Sequence, residues 1–352
     1  MDQINRENLA ALLEANDISK LSMEDLEMLF RQEGSLKRSL PDGSCQIDPR
    51  NGDRIIYVPR RGDRPHDNRP VKSTDTPSEG GCPICQGSTT GVVDVAELSE
   101  GFTFINKNLF PVVYPFAEKQ LESEGVSSAR GLHFLQWTSS LHDKDWHNMP
   151  LSDGAVVMSR LAALEKKLVE TGKQVLITKN YGRLVGGSLS HGHQQIILTS
   201  LLPNRFLDNQ RFMDEKGESF STYLLRENPT GLEVRDYGPA VLLVPTFIRR
   251  PYEMMLLLKD TKRQFLHELS EKELMAVTQG WRDGIQVMRT VMPATGRETA
   301  YNITCHNGQG AGLYFEFLPY TQEIGGLEHL GLFSCQALPH IVAEHIRKVL
   351  PA

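Results

Sequence analysis

Long apolar runs are missing from this chain of 352 residues, in which segments 240–245 and 254–258 are among the longest. A membrane-spanning helix needs about 20 apolar residues, so the sequence predicts no such segment. The start, MDQINRENLA, also lacks the pattern of a secretory signal peptide. We therefore expect a cytoplasmic protein with no membrane partner.

An excess of positive charge is also absent, because 38 Lys and Arg residues face 44 Asp and Glu residues for a net charge of −6. Duplex binding relies on basic side chains that contact phosphates, so we expect no nucleic-acid partner. Apolar residues make up 39% of the chain and 29 residues are glycine, as in folded globular proteins. The length predicts two domains or one large one.

The five cysteines are too few and too scattered for a disulfide framework. Cys45, Cys305 and Cys335 are isolated, whereas Cys82 and Cys85 form one CxxC motif. This spacing lets two thiolates bind one tetrahedral zinc ion. A redox site of the thioredoxin type is an alternative, but its usual strand and helix do not flank the motif. Two unligated thiols are the remaining interpretation.

Periodicity predicts similar elements in the two halves of the chain. Helical spacing occurs twice in the first 40 residues, and residues 45–88 are mostly loop with a short strand at 54–58. The first half then has strands at 103–114, 132–138, 174–178 and 194–198, with a helix at 151–172. The second half has strands at 240–245, 254–258, 301–305 and 313–318, with a helix at 271–288.

This repeated order indicates a divergent duplication and an α+β fold with antiparallel sheets, because regular βαβ alternation is missing. We predict a helical extension at 1–44 and two domains at 45–205 and 206–352.

The sharpest local pattern is SLSHGHQQIIL at 188–198, in which His191 and His193 enter an apolar strand. Alternation along a strand puts both imidazoles on one side. A single histidine here would more often be a hydrogen-bonded core residue. Gly186 and Gly187 precede the pair and let backbone amides approach an anion, and a nearby imidazole is a plausible nucleophile on phosphorus.

Together these motifs resemble the galactose-1-phosphate uridylyltransferase-like branch of the histidine-triad superfamily, which includes diadenosine tetraphosphate and sugar-nucleotide phosphorylases. The resemblance extends over about residues 46–335. It is carried by IDP at 47–49, DRIIYVPRRGDRP at 53–65, CPIC at 82–85, NLFP at 108–111 and NYGRLVGGSLSHGHQQ at 180–195. It implies two histidine-triad-like domains, zinc, and a homodimer with the site near the subunit interface.

The resemblance also implies a role for each matching residue. His193 would attack the α-phosphorus, Gln195 would hydrogen-bond the covalent nucleotidyl intermediate, and Ser188 would hold a phosphate. Residues implied to bind or orient the nucleotide and its phosphates are Arg61, Arg64, Asn108, Asn180, Gly186 and Gly187. Hydrolytic relatives have a third histidine at the position of Gln195, so an amide there favours a transferase or phosphorylase.

Two further zinc ligands would be His191 and either His142 or His147. The end of the predicted strand favours His142, whereas the spacing to the helix favours His147, so both stay candidates. Glu328, in GGLE at 325–328, would touch the sugar or acceptor. The His-x-His pair that many uridylyltransferases carry before a Leu-Pro is missing before Leu318-Pro319, so no second metal site is expected there.

The resulting hypothesis is nucleotidyl transfer or phosphorolysis of a sugar nucleotide or dinucleotide, with phosphate or a sugar phosphate as acceptor. The alternative is a catalytically idle nucleotide sensor on the same zinc-containing fold.

Overall fold

The computed structural model describes residues 17–31, 44–47, 54–56, 81–89, 91–115 and 126–350. Arg61 and Arg64, which are expected to face phosphates, lie outside these residues. Within the described ranges, no helix is both long and apolar enough to cross a membrane.

Thirteen strands and seven α-helices make up the described fold. The strands are β1 Ser44–Ile47, β2 Arg54–Ile56, β3 Val92–Glu97, β4 Phe102–Lys107, β5 Val126–Ser128, β6 Gly131–Trp137, β7 Gln174–Tyr181, β8 His193–Thr199, β9 Glu233–Asp236, β10 Ala240–Leu243, β11 Met254–Leu258, β12 Tyr301–His306 and β13 Tyr314–Pro319. The helices are α1 Met23–Arg31, α2 Leu151–Val169, α3 Asn204–Lys216, α4 Phe220–Glu227, α5 Glu271–Ala294, α6 Gly326–His329 and α7 Pro339–Val349.

The predicted α+β class with antiparallel strands is confirmed. Ten strands form one sheet in the order β3-β4-β6-β8-β7-β12-β13-β11-β10-β9, and β2-β1-β5 form a second. The two repeats meet where β7 pairs with β12 in antiparallel register, with Thr178 opposite Thr304. Both halves of the chain therefore share one sheet, and their division into domains at 205 and 206 stays a prediction.

Each half of the large sheet repeats one order of elements: strand, long helix, then two paired strands. In the first half these are β6, α2, β7 and β8, and in the second β11, α5, β12 and β13. Helix α5 begins with a capping box, because Ser270 Oγ accepts from Glu273 N while the Glu273 carboxylate accepts from Ser270 N. This arrangement agrees with the predicted duplication.

Helices α2 and α5 pack together on one face of the sheet. Alternation points Ile177 and Ile196 into the core beneath them. At the edge of this core, the rings of Trp146 and Trp281 lie 5.2 Å apart. The opposite face is left for His193 and Gln195, which point away from the helices. Sheet alternation therefore separates the core of the first repeat from its candidate site.

The described part of the predicted N-terminal extension packs against the first repeat. Ile18, Leu26 and Phe30 are buried in the main core. The Phe30 ring meets Phe134 of β6 edge to face at 5.5 Å, and Tyr114 Oη donates to the Phe30 carbonyl at 2.6 Å. Residues 17–31 are therefore part of the folded body of the first repeat.

Candidate active site

His193 begins β8 and is buried on the face of the sheet opposite α2 and α5. Its Nδ1 lies 2.8 Å from the carbonyl oxygen of His191, so Nδ1 carries the proton and donates it to that carbonyl. Burial lowers the pKa of His193 to about 4, although the hydrogen bond to the His191 carbonyl opposes this effect. The ring is thus neutral at pH 7, and its Nε2 has a free lone pair.

A cavity of about 350 Å³ lies against His193, within the range of small-molecule sites. The Trp137 ring forms part of its wall, 4.8 Å from the His193 ring, and Trp137 Nε1 donates to Asn106 Oδ1 at 2.8 Å. Residues that line it from the predicted site are Asn108, Gly186, Ser188, His193 and Gln195. The structure therefore brings these five predicted residues to one space.

Gln195 is held by His133, a buried residue of β6 that the sequence analysis missed. Val112 N donates to His133 Nδ1 at 3.1 Å, so the ring proton is on Nε2. His133 Nε2 then donates to Gln195 Oε1, also at 3.1 Å. Asn108 lies beside this pair, its Nδ2 3.1 Å from His133 Nε2 and its Oδ1 accepting from Phe110 N at 2.9 Å. Asn108 and Gln195 thus approach the same buried nitrogen, and His133 Nε2 donates to Gln195 only.

The glycine-rich turn before His191 is closed by its own backbone hydrogen bonds. Gly186 has a positive φ of 83°, which a side chain would rarely adopt. The amide of Gly186 donates to Arg183 O at 3.3 Å, and that of Gly187 donates to Gly182 O at 3.0 Å. Both amides therefore close the turn and are engaged by backbone carbonyls. The turn shapes the cavity wall that carries Ser188.

Asn180 lies behind this turn and contacts the second repeat. Its Oδ1 accepts from Asn302 Nδ2 at 2.8 Å, and Asn302 Nδ2 also lies 3.2 Å from Val185 O. Asn302 belongs to β12, directly opposite Asn180 in the register. The seam between the repeats therefore supports the turn that precedes His193.

Four predicted ligands form a group that fits one zinc ion: Cys82, Cys85, His142 and His191. Their sulfur and nitrogen atoms all lie within 4.8 Å of one another. Cys85 Sγ is 3.3 Å from His142 Nδ1 and 3.6 Å from His191 Nδ1, and Cys82 Sγ is 3.7 Å from His191 Nδ1. A tetrahedral zinc site has sulfur-to-nitrogen edges of about 3.6 Å, so both the donor set and its spacing fit.

The second nitrogens of both histidines are also engaged. His191 Nε2 donates to Ser139 O at 2.8 Å, and His142 Nε2 lies 3.2 Å from Ser190 Oγ. Such outer contacts fix the tautomer of a metal-binding imidazole and direct its other nitrogen to the metal. Burial would raise the pKa of the Cys82 thiol, but hydrogen bonds with His142 and His191 lower it to about 5.

His147, the other candidate ligand, is not part of this group. Its Nδ1 is buried without a hydrogen-bond partner in the described structure. Burial lowers the pKa of His147 to about 4, with a further contribution from the Arg289 charge, and Asp145 and Lys179 are also close enough to affect it. The 142–147 loop therefore turns His142 toward the cysteines and His147 toward a buried charged cluster.

Glu328 does not line the His193 cavity of its own chain. It lines another cavity of about 330 Å³, together with His306 and Glu316. Its carboxylate accepts from Gly325 N at 2.9 Å and from Ser334 Oγ at 2.8 Å. These bonds brace the segment around α6, and the contact of Glu328 with the sugar or acceptor stays a prediction.

Comparison with known structures places this geometry in a known fold. A uridylyltransferase structure superimposes with a TM-score of 0.69 at 21% identity, covering 87% of this chain and 98% of that one. The chain has the uridylyltransferase fold. A structure of ADP-glucose phosphorylase from Arabidopsis thaliana with bound ADP-glucose gives a TM-score of 0.64 at 16% identity, covering 86% of this chain and 98% of that one.

In sequence, ADP-glucose phosphorylase from Arabidopsis thaliana is 20% identical over 329 residues, which is 86% of this chain and 92% of that protein. No family model matches the chain. The resemblance to the uridylyltransferase-like branch of the histidine-triad superfamily is thereby confirmed, and the uridylyltransferase fold extends over both repeats.

Proposed function

We propose that this protein is a nucleotidyltransferase or phosphorylase that acts on a sugar nucleotide through a nucleotidyl-His193 intermediate. The observation that carries the proposal is His193 itself. Its Nδ1 is held by the His191 carbonyl, its Nε2 has no hydrogen-bond partner in the described residues, and the ring borders the 350 Å³ cavity. A neutral imidazole with one free nitrogen is the form that attacks phosphorus.

The reaction proceeds by two displacements. In the first, the His193 Nε2 lone pair forms a bond to the α-phosphorus, and the bond from phosphorus to the departing phosphate oxygen breaks with its electrons on that oxygen. In the second, a phosphate oxygen of the acceptor attacks the same phosphorus, and the electrons of the N–P bond return to Nε2. Gln195 and Ser188 donate to the phosphoryl oxygens as charge shifts between them.

Orientation of the Gln195 amide supports this role. Its Oε1 is already engaged by His133, so its NH₂ group is the end left for an anionic phosphoryl oxygen. An amide supplies hydrogen bonds but no proton transfer. The intermediate is therefore held for an acceptor rather than for water, which favours transfer or phosphorolysis over hydrolysis.

The similar protein ADP-glucose phosphorylase suggests ADP-glucose and inorganic phosphate as the first pair to test. Zinc would be held by Cys82, Cys85, His142 and His191. When bound there, it would tie the 82–88 loop to His191, and Pro83, Ile84 and Ser88 of that loop line the His193 cavity. The zinc ion then stabilises the cavity wall.

A homodimer is proposed from an exposed apolar surface near the C terminus. Leu330 is 85% exposed and Leu332 is 65% exposed, which is unusual for leucines so close together. The other exposed large apolar residues between positions 324 and 341 are Ile324, Leu327, Phe333, Leu338 and Ile341. A second copy would cover this surface. Light scattering should show a dimer, and the double variant Leu330→Asp with Leu332→Asp should dissociate that dimer.

A cytoplasmic location stays a prediction.

The proposed function is tested by intact-mass spectrometry. The protein is mixed with ADP-glucose, UDP-glucose or diadenosine tetraphosphate in the absence of an acceptor. A nucleoside monophosphate adduct should form that is labile in acid, stable in base and discharged by phosphate or a sugar 1-phosphate. His193→Ala should give no adduct, and the exposed control His340→Ala should give the wild-type amount.

Turnover of a donor without any adduct on rapid quenching, with kinetics that require a ternary complex, would contradict the proposed nucleophile. Tight nucleotide binding without turnover of any donor would instead support an idle sensor.

A further inference from the structure

A buried ion pair lies directly behind the nucleophile. Lys179 of β7 and Asp145 of the 139–150 loop are both almost completely buried, and Lys179 Nζ lies 2.9 Å from Asp145 Oδ2 and 3.0 Å from Asp145 Oδ1. The proposed chemistry uses neither side chain, and neither lines the His193 cavity. The pair therefore needs another explanation.

Both members of the pair touch the segment that carries the nucleophile. Lys179 Nζ donates to the His193 carbonyl at 3.3 Å. Asp145 packs under Gly192, where an added Cβ would come within 2.6 Å of Asp145 Cγ. Only glycine allows this approach, so the carboxylate and the 191–193 backbone fit each other closely.

All three carbonyls of residues 191–193 accept a hydrogen bond. The His191 carbonyl accepts from His193 Nδ1, the Gly192 carbonyl accepts from Thr138 N at 2.9 Å, and the His193 carbonyl accepts from Lys179 Nζ. Only the third of these donors is a charged side chain, and Asp145 holds it in place. Asp145 is itself held, because its Oδ1 accepts from Trp146 N at 2.9 Å.

Stability alone is a weak reason to keep such a pair. Removing two charges from water is costly, and apolar replacements of similar shape are often as stable as a buried ion pair. A fixed position for the imidazole has a clearer benefit, because a displacement of about 1 Å at a reacting group can slow a reaction 100-fold.

We propose that Lys179 and Asp145 are positioning residues that fix the backbone of His193, and with it the direction of the attacking Nε2. This inference rests on the proposed function. Lys179 acts on the reaction only through the His193 carbonyl, and Asp145 acts through Lys179 and through its contact with Gly192.

The test uses the double variant Lys179→Met with Asp145→Asn, which removes both charges and keeps both shapes. Either single variant leaves one buried charge unpaired and is expected to lose stability. The melting temperature of the double variant should be closer to the wild-type value than that of either single variant. The nearby Arg289 should keep its place over the Tyr181 ring. Zinc content and donor affinity should be unchanged.

The decisive measurement is the rate of adduct formation at saturating donor, followed by rapid quenching. We expect the double variant to be slower by a factor of about 10 or more, equivalent to about 1.4 kcal/mol. Nitrogen NMR of the histidines should also show an altered Nδ1–H resonance for His193. The matched control is the double variant Arg235→Met with Asp283→Asn. It removes another ion pair that has a buried carboxylate, in the second repeat, where Arg235 Nη1 lies 3.0 Å from Asp283 Oδ2.

This control should keep the wild-type adduct rate. An unchanged rate and an unchanged His193 resonance in the Lys179 and Asp145 double variant would overturn the positioning role. Absence of an adduct in the wild-type protein would instead overturn the proposed function, and the two failures are therefore distinguishable.

Discussion

His133 Nε2 donates to Gln195 Oε1 at 3.1 Å across the β6–β8 pair, and this bond sets the direction of the Gln195 amide. Without it, the amide could turn and present its oxygen to an anionic phosphoryl group, which would be repulsive. The contact is buried, so water does not replace the missing donor easily.

The first prediction concerns this pair. His133→Phe keeps a ring of similar size but removes the donor, and adduct formation should slow by a factor of about 10 because the amide loses its fixed direction. Rapid-quench mass spectrometry measures this rate in the wild type and the variant.

The matched control places the same substitution in a Gln195→Leu background. There His133→Phe should have little further effect, so the two substitutions should show a coupling of about 1.4 kcal/mol. Fully additive effects would mean that His133 acts on the reaction independently of Gln195.

The second prediction concerns zinc. Wild-type protein should contain about one zinc ion per chain, and His142→Ala or Cys82→Ser should lose zinc and melt at a lower temperature, because metal binding also stabilises the fold. His147→Ala should keep its zinc, because His147 faces the Asp145 and Lys179 cluster. Elemental analysis after gel filtration gives the result, and zinc loss in His147→Ala with retention in His142→Ala would reverse the assignment.

Local sequence was sufficient for the strongly patterned elements. The strand predicted at 254–258 is β11, and those at 301–305 and 313–318 are β12 and β13 to within one residue. Their apolar residues are buried, among them Leu256, Ile303 and Phe317. The polar helix α3, NRFLDNQRFMDEK, was not predicted, since it buries only Phe206 and Asn209. Tertiary contact rather than periodicity determines such an element.

The residues of the candidate site also form two groups, those that the local sequence predicts and those that it does not. The residues in the continuous 186–195 motif were predicted together because a strand and its preceding turn keep neighbours close. His133 and Asn302 were not predicted, because each meets the motif only through pairing with strands that are distant in sequence. Lys179 was not predicted because it reaches the His193 carbonyl only across the paired strands β7 and β8. Strand register and packing across the sheet are needed to find them.

The third prediction concerns the choice between transfer and hydrolysis. Gln195→His introduces a group that can exchange protons next to the scissile N–P bond, so hydrolysis of the nucleotidyl enzyme should rise relative to transfer. The adduct is isolated and its decay is followed with and without phosphate. Gln195→Leu is the control, since it removes the amide without adding a base, and an equal hydrolysis-to-transfer ratio in both variants would speak against this division of roles.

The fourth prediction is a dependence of stability on pH that arises away from His193. Burial raises the pKa of Glu253 to about 7, although Arg250 opposes this effect with its charge and a hydrogen bond at 3.3 Å. The folded protein therefore binds a proton that the unfolded chain loses near its ordinary value of 4.5, and Glu253 reduces stability as pH rises from about 4.5 to 7. The loss is at most about 3 kcal/mol.

Glu253→Gln removes this titration and keeps an oxygen that can accept from Arg249 N, as the carboxylate does at 2.8 Å. The variant should therefore gain stability relative to the wild type on going from pH 5 to pH 8. Thermal unfolding at both pH values measures the difference. A difference that stays constant with pH would show that the carboxylate is ionised in the folded protein throughout this range, with Arg250 compensating for its burial.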